Sequence, residues 1–298
     1  MSLLHVILHN EDHNRLLYKN TILRIYSFSK ILALPLVIIF AGYLYYLLEY
    51  RGEQWIFILI PLILLVALYT FHPQIDYWYL KKKPIPLDDE IKNWLNKYSP
   101  YYNNLSSDSK TKYENRLGWY LYARSFTSVG TEQRAVPEDI KAAIASEAIK
   151  LTLGVDDFLI GDMDRIFIYK HPFPSPEKQF LHTAEVEVED GTIIMSLSHL
   201  LPGLVDTSRY YNIVMHCYAE AYIKVNSRRR YPFVDGESWE SLEEISGFNK
   251  DQIFKTIGYK VEDIRIFHIN FFFTFTERYK EILPNLYREW NSFFNQKI

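Results

Sequence analysis

The sequence predicts an α+β protein in which a hairpin of two membrane-crossing helices precedes a mainly helical domain with a small β-sheet. Three observations predict it. Two long uncharged apolar runs lie between Ile31 and Phe71; everything after Lys81 has a mixed, aromatic-rich composition with apolar residues mostly at helical spacing; and three short β-type runs interrupt those helices.

From Ile31 to Leu48 no residue is charged. With Tyr26 to Ser29 added, a helix rising 1.5 Å per residue crosses a hydrocarbon core about 30 Å thick. Trp55 to Phe71 is a second uncharged run. The hairpin therefore occupies residues 26–80, with spans at about 26–48 and 55–72. Pro35, Gly42 and Pro61 weaken a helix in water, but in lipid a neighbouring helix and local adjustment satisfy the freed backbone groups. Glu49-Tyr50-Arg51-Gly52-Glu53-Gln54 is short enough only for a tight turn, so both ends face one compartment. Arg15, Lys19, Arg24 and Lys30 precede the first span and Lys81, Lys82 and Lys83 follow the second, against Arg51 alone in the turn. This asymmetry places both termini in the cytosol. Tyr43, Tyr45, Tyr46, Tyr50 and Trp55 at one end, and Tyr77, Trp78 and Tyr79 at the other, match interfacial belts. The first span starts late and is followed at once by a second, unlike a cleaved leader. The competing reading is a hairpin buried inside a soluble protein. Residues 1–25 form a lead-in segment whose interleaved apolar and basic residues suit either a membrane surface or an ordinary amphipathic helix.

Residues 81–99 comprise the stiff linker Pro84-Ile-Pro-Leu-Asp-Asp and a first helix, Glu90 to Tyr98. Residues 100–298 form the folded domain. Helical spacing continues over Asp108 to Phe126, started by Ser106 to Lys110. Pro137 sits at the expected first turn of a helix from Glu138 to Leu153, ended by Gly154. Arg165 to Lys170, His182 to Glu189 and Thr192 to Leu197 read as strands, the last two joined by Glu189-Asp190-Gly191. Helices return over Ser208 to Asn226, Lys250 to Thr256, Ile266 to Tyr279 and Ile282 to Phe294.

A formal net charge of −3 supplies no strongly basic face, so nucleic acid is not an expected partner. A single cysteine, Cys217, excludes an intramolecular disulfide and a multi-cysteine zinc site, and suits a reducing compartment.

The segment with chemical content is Tyr210-Tyr-Asn-Ile-Val-Met-His216-Cys217-Tyr-Ala-Glu220. It has the outline of a zincin helix. In that arrangement His-Glu-x-x-His puts two imidazoles at i and i+4 on one face for zinc, while the intervening glutamate polarises the metal-bound water. An isolated helix-surface pair of His216 and Glu220 is the plainer reading.

The flanking residues add a resemblance. Leu105-Ser106, Arg116-Leu117 and Phe126 come first, followed by Ile144 to Ala148 with Leu153-Gly154, and Ile168-Tyr169 before Pro172. Then come His182 to Glu185, Met195 to Leu197 with Gly203, and Asn212 ahead of the motif. Phe271 to Glu277 and Leu283 to Tyr287 before Phe293-Phe294 complete the series. In order and spacing, residues 100 to 296 resemble the MtfA-like zinc-dependent peptidases, a bacterial family whose motif reads approximately Asn-(Val/Leu)-x-x-His-Glu-Phe-Ala-His. The resemblance implies a zincin-like fold for the cytosolic domain. It maps the first histidine ligand to His216, the general-base glutamate to Cys217, the second histidine ligand to Glu220 and the downstream glutamate ligand to Asn270. Three of these four positions are changed. Glutamate can ligate zinc, whereas a neutral asparagine is a poor ligand. Loss of the base carboxylate removes an effect of roughly 10²- to 10⁴-fold in rate.

The resemblance therefore implies a membrane-anchored, catalytically inactive homologue in a bacterial inner membrane, with no cofactor. It would keep the groove and use it, or an adjacent surface, to bind a protein; family members are linked to control of sugar uptake through binding a transcriptional repressor. The alternatives are an active peptidase with zinc held by atypical ligands, and a structural membrane subunit. Other residues are weighed beside these. Cys217 and His216 are adjacent and so about 100° apart on a helix, which does not supply a cysteine–histidine pair. His268 would reach the third-ligand position only in a shifted register. His182 and Glu185 read either as part of the site or as a strand-edge pair. Arg228-Arg229-Arg230 reads as a contact for phosphate or anionic lipid, or as a solvated loop. The expected geometry puts His216 and Glu220 on one helical face over the sheet, with Asn270 approaching from a second helix.

Overall fold

The computed structural model describes residues 28–50, 54–130, 135–234 and 239–296, with the backbone alone for Pro73, Tyr77 and Lys81. The lead-in segment 1–25, the start of the first span at Tyr26 and the turn residues Arg51, Gly52 and Glu53 lie outside the described residues. The chain divides into two compact units between Ile85 and Pro86.

The first unit is a pair of helices, α1 (Phe28–Tyr50) and α2 (Leu59–Lys82), with a 3₁₀ turn at Trp55–Ile58 leading into α2. They pack on one another, and their segments Phe28–Tyr50 and Trp55–His72 are long and apolar enough to cross a membrane. Their outward side chains are bare: Leu34, Ile38 and Ile63 are each more than 60% exposed. A row of such residues is costly in water and costs nothing in hydrocarbon. In the first turn of α1, Ser29 donates to the carboxylate of Asp76 on α2 from N at 2.8 Å and from Oγ at 2.9 Å. Phe28 stacks on Tyr79 beside these bonds.

The second unit begins with α3 (Asp89–Tyr98), capped by Asp88, the short α4 (Pro100–Asn103) and α5 (Ser107–Ala123), capped by Ser106. The helix expected to reach Phe126 stops at Ala123. Arg124 turns to extended backbone, and Ser125–Val129 becomes strand β1, since Phe126, Thr127 and Val129 suit a pleated surface better than a frayed helix end. Helix α6 (Glu138–Thr152) follows, and then strands β2 (Arg165–Tyr169), β3 (Ala184–Glu187) and β4 (Thr192–Ser196). The sheet thus has four strands in the order β1-β2-β4-β3, parallel except for the β3–β4 hairpin.

Helix α7 (Leu197–Val205) continues directly from β4, and the motif helix α8 (Ile213–Val225) starts five residues later than the sequence pattern suggested. Ser208 to Tyr211 cannot join it, because Asn212 in an extended conformation caps it by accepting from Met215 N at 2.9 Å. A short helix α9 (Trp239–Ser246), not expected from the sequence, precedes α10 (Lys250–Ile257), α11 (Arg265–Thr274), α12 (Thr276–Ile282) and α13 (Pro284–Phe293). Helix α8 is the hub. It packs on α6, α11, α7 and the strands β3 and β4, and ten of its residues from Ile213 to Ile223 are buried. Phe267, Phe271, Tyr279, Trp290 and Phe294 close the core on its far side. Each contributes on the order of 2–3 kcal/mol by burial.

Two glycines permit the close approaches around α8. A Cβ on Gly203 would strike the carbonyl oxygen of Tyr211, so α7 can press against the chain entering α8 only without a side chain there. Gly258 ends α10 at φ +100°, and a Cβ on it would come within 2.7 Å of the His182 backbone.

Candidate functional site

Helix α8 carries His216, Glu220 and Lys224 at intervals of four, hence on one face. That face looks toward the edge strand β3. His216 is fully buried; its Nδ1 is 2.8 Å from the Tyr211 hydroxyl, and its ring lies against Phe267. Its Nε2 is 3.8 Å from Glu220 Oε2, too long for a hydrogen bond, and neither atom has a hydrogen-bond partner. The other carboxylate oxygen, Glu220 Oε1, is taken by Lys224 Nζ at 2.8 Å. The same ammonium donates to the Val186 carbonyl at 2.8 Å, so Lys224 ties the motif helix to the edge of the sheet.

Asn270 comes from α11 and is completely buried. Its amide donates to the Asn212 carbonyl at 2.8 Å, and its oxygen accepts from Thr274 Oγ1 at 3.1 Å. Asn212 in turn donates to Glu147 Oε2 on α6 at 2.9 Å. Asn270 thus serves as a strut on the cap of the motif helix. Cys217 faces into the core, fully buried.

Protonation follows from burial. Burial pushes the His216 imidazole down to about 4; the Glu220 carboxylate pulls it up and Lys224 pulls it down, without cancelling the burial effect. It is therefore neutral near pH 7. Burial, with Glu220 adding to it, raises the Cys217 thiol well above its ordinary value. A buried neutral thiol is neither a nucleophile nor a metal ligand.

The donor set does not fit a catalytic zinc. Such a site needs three protein ligands and an open position for water. Here one imidazole nitrogen and one carboxylate oxygen are at hand, the carboxylate's charge is already balanced by Lys224, and the Asn270 amide is spent on its neighbours. Among the described residues, no group of three or more His, Cys, Asp or Glu side chains is arranged to hold a metal.

The remaining sequence candidates lie elsewhere. His268 points to α12, with Nδ1 2.7 Å from the Tyr279 hydroxyl, and burial lowers it to about 4. His182 and Glu185 form a second buried cluster at the start of β3. His182 Nε2 is 3.0 Å from Glu185 Oε2 and its Nδ1 is 2.9 Å from the Phe180 carbonyl, while Ser175 and Lys178 bond the other oxygen of Glu185 at 2.9 and 3.2 Å. Burial works to raise this carboxyl, but the hydrogen bonds from His182, Ser175 and Lys178 outweigh it and hold it below its ordinary value. Tyr259, following α10, lies against both the His182 ring and the Lys178 ammonium, and its buried hydroxyl has no partner. Arg228, Arg229 and Arg230 follow α8 in an exposed loop.

Sequence reasoning missed Lys224, Tyr211 and Tyr259. The signal for Lys224 was available as a Glu220–Lys224 pair at i, i+4. Its hold on Val186 was not, since that contact depends on where β3 lies.

Residues 75–220 match the family model described as glucose-regulated metallo-peptidase M90. The match spans just under half of the chain. It ends at Glu220, so it includes His216, Cys217 and Glu220 and stops short of Asn270 and the arginine run. No curated protein matches the chain. The M90 match thus ends on the helix where the candidate residues lie, at the point where Glu220 is held by Lys224.

Proposed function

We propose that this protein is a membrane-anchored, catalytically inactive relative of the MtfA-like M90 peptidases. Its folded domain sits on the cytosolic face of a bacterial inner membrane and serves as a protein-binding, regulatory module. The observation that carries this reading is the state of Glu220. At the one position where a carboxylate could complete a site with His216, Lys224 neutralises it. Cys217 leaves no base at the adjoining position. The fully buried His216, Cys217 and Asn270 argue that binding uses a surface beside the motif and not the motif itself.

A second reading is an active peptidase in which His216 and Glu220 hold zinc. It is favoured by Nε2 and Oε2 both lacking a partner while lying 3.8 Å apart. Elemental analysis of protein purified without chelator, with a peptide-cleavage assay of the wild type and His216→Ala, separates the two. The inactive reading expects neither stoichiometric zinc nor turnover. Near-stoichiometric zinc with cleavage lost in His216→Ala overturns it. Affinity capture from detergent extracts then separates a binding module from a structural scaffold.

A further inference from the structure

The loop leaving α8 has an inner and an outer set of side chains. The inner set fastens it. Arg229 donates to the Tyr222 hydroxyl and lays its guanidinium 5.0 Å from the centre of the Phe293 ring, and Tyr231 donates to the carbonyls of Tyr222 and Asn226, both at 3.3 Å. The outer set is Arg228, Arg230 and Phe233. The two arginines are exposed, and Phe233 is 86% exposed, the barest large apolar side chain described in the second unit. The fastened loop thus holds a bare aromatic ring close in sequence to two exposed guanidinium groups. Pro232 stiffens the loop just before it.

Charge nearby is compatible with an anionic partner. Glu262 and Asp263 line the hollow beside the loop, but Asp263 is clamped by Arg265 through two bonds of 2.8 and 2.6 Å. Arg230 lines the same hollow, and Glu262 is the other acid that lines it.

The chain itself indicates the partner. Helix α2 ends at Lys82 and α3 begins at Asp89, leaving the six residues Lys83 to Asp88 as connection. At full extension they reach about 20 Å. With α1 and α2 in a bilayer, the second unit is held at its surface. Within that unit, Tyr101 on α4 bonds Gln296 at 2.8 Å and the loop's Tyr231 ring lies 4.8 Å from Phe293, so α4 and the loop meet the same C-terminal end of α13.

We propose that Arg228, Arg230 and Phe233 form a membrane-docking edge, the arginines pairing with anionic phospholipid head groups while Phe233 enters the interface. Basic side chains near an anionic leaflet each contribute about a five-fold factor in partition, and an aromatic ring suits the head-group level. The proposal depends on α1 and α2 spanning a bilayer and not on whether the M90-like site is active.

The test uses the full chain in lipid nanodiscs, where failure of the spans shows separately as failure to incorporate. Cys217 is fully buried, so Phe233→Cys can be labelled selectively with an environment-sensitive fluorophore; the unsubstituted chain should take up no label. In discs of phosphatidylcholine with phosphatidylglycerol, the label should shift to the blue and be quenched by spin-labelled lipid. Both effects should fall at least ten-fold in phosphatidylcholine alone and on adding Arg228→Ala and Arg230→Ala. A label that stays in water in anionic discs overturns the proposal. So does quenching indifferent to lipid charge and to the arginines. Loss of quenching on adding inorganic phosphate would instead mark a phosphate-ion site, and a response only to an added acidic protein would mark a protein interface; either also overturns it.

Discussion

Lys224 Nζ stands 2.8 Å from Glu220 Oε1, one turn along the same helix, so the carboxylate nearest His216 is already in an ion pair. This relationship governs how zinc binding could be restored. Substituting Cys217→Glu, Glu220→His and Asn270→Glu rebuilds the four peptidase positions but removes the partner of Lys224 and leaves its ammonium beside an incoming dication. Adding Lys224→Met removes that repulsion while keeping an unbranched side chain only one heavy atom shorter. The four-fold variant should bind zinc near stoichiometry, and the triple variant at least ten-fold more weakly. Competition titration with a chromophoric chelator measures both. Equal affinities would show that Lys224 does not oppose the metal.

The His182–Glu185 pair should matter more to stability than anything on the motif face. Glu185 is 1% exposed and accepts from His182, Ser175 and Lys178. Removing one partner of a buried pair costs about 3–5 kcal/mol, because the other is left buried and uncompensated. Glu185→Ala should therefore lower the denaturation midpoint sharply. Adding His182→Phe should recover part of the loss, since it deletes the stranded imidazole. A purely additive double variant, measured by urea unfolding, would show that the two residues are uncoupled.

Local patterns in the sequence carried the helical hairpin, the β3–β4 strands and the common face of His216 and Glu220, because each depends on spacing within one element. What escaped depends on neighbours distant in sequence. Strand β1 is five residues joined to the end of α5, and its extended form is fixed by pairing with β2. Trp239–Ser246 is two turns of helix, too short for apolar periodicity to stand out. The closure of the candidate site comes from α11 and from Lys224 reaching Val186, neither of which a motif encodes. The resemblance placed Asn270 at a ligand position, and the structure shows it bonded to the Asn212 carbonyl at the entrance to α8.

Stability should fall with acid before the carboxylates titrate. Burial lowers His268 to about 4, and His216 likewise, against an unfolded value of about 6.5. Each group's folded value lies below its unfolded value, so the unfolded chain binds the extra proton. The stability they support above pH 6.5 is lost as pH falls toward 4. The slope is at most about 1.4 kcal/mol per pH unit for each histidine. His268→Gln should shallow the dependence between pH 6.5 and 5, measured as the urea midpoint at half-unit steps. An unchanged slope would mean that His268 does not titrate on unfolding.

Asp76 bonds Ser29 N and Oγ, tying the first turn of α1 to the C-terminal part of α2. Asp76→Ala leaves Ser29 N and Oγ without that acceptor, at about 1–2 kcal/mol. In detergent, this variant should show a lower melting temperature and faster proteolysis between the helices than Thr70→Ala, whose hydroxyl bonds only the preceding turn at Val66. Equal behaviour of the two would remove this tie from the account of hairpin stability.

The orientation of the hairpin follows from charge outside it. Arg15, Lys19 and Arg24 stand before α1 and Lys30 in its first turn, and Lys81, Lys82 and Lys83 stand at the end of α2, against Arg51 between the helices. Basic residues flanking a span resist translocation, so the side richer in them stays in the cytosol. Reporter fusions near residue 2 and at residue 298 should both report the cytosol, and an insertion at Gly52 the opposite side. The sharper version alters the balance. Replacing Lys81, Lys82 and Lys83 with Gln, while adding three Lys residues beside Gly52, should raise the fraction of chains whose residue-52 reporter is cytosolic. A C-terminal fusion of the unaltered chain that reports the far side would overturn the topology and the reducing setting of Cys217 together, since both rest on the same orientation.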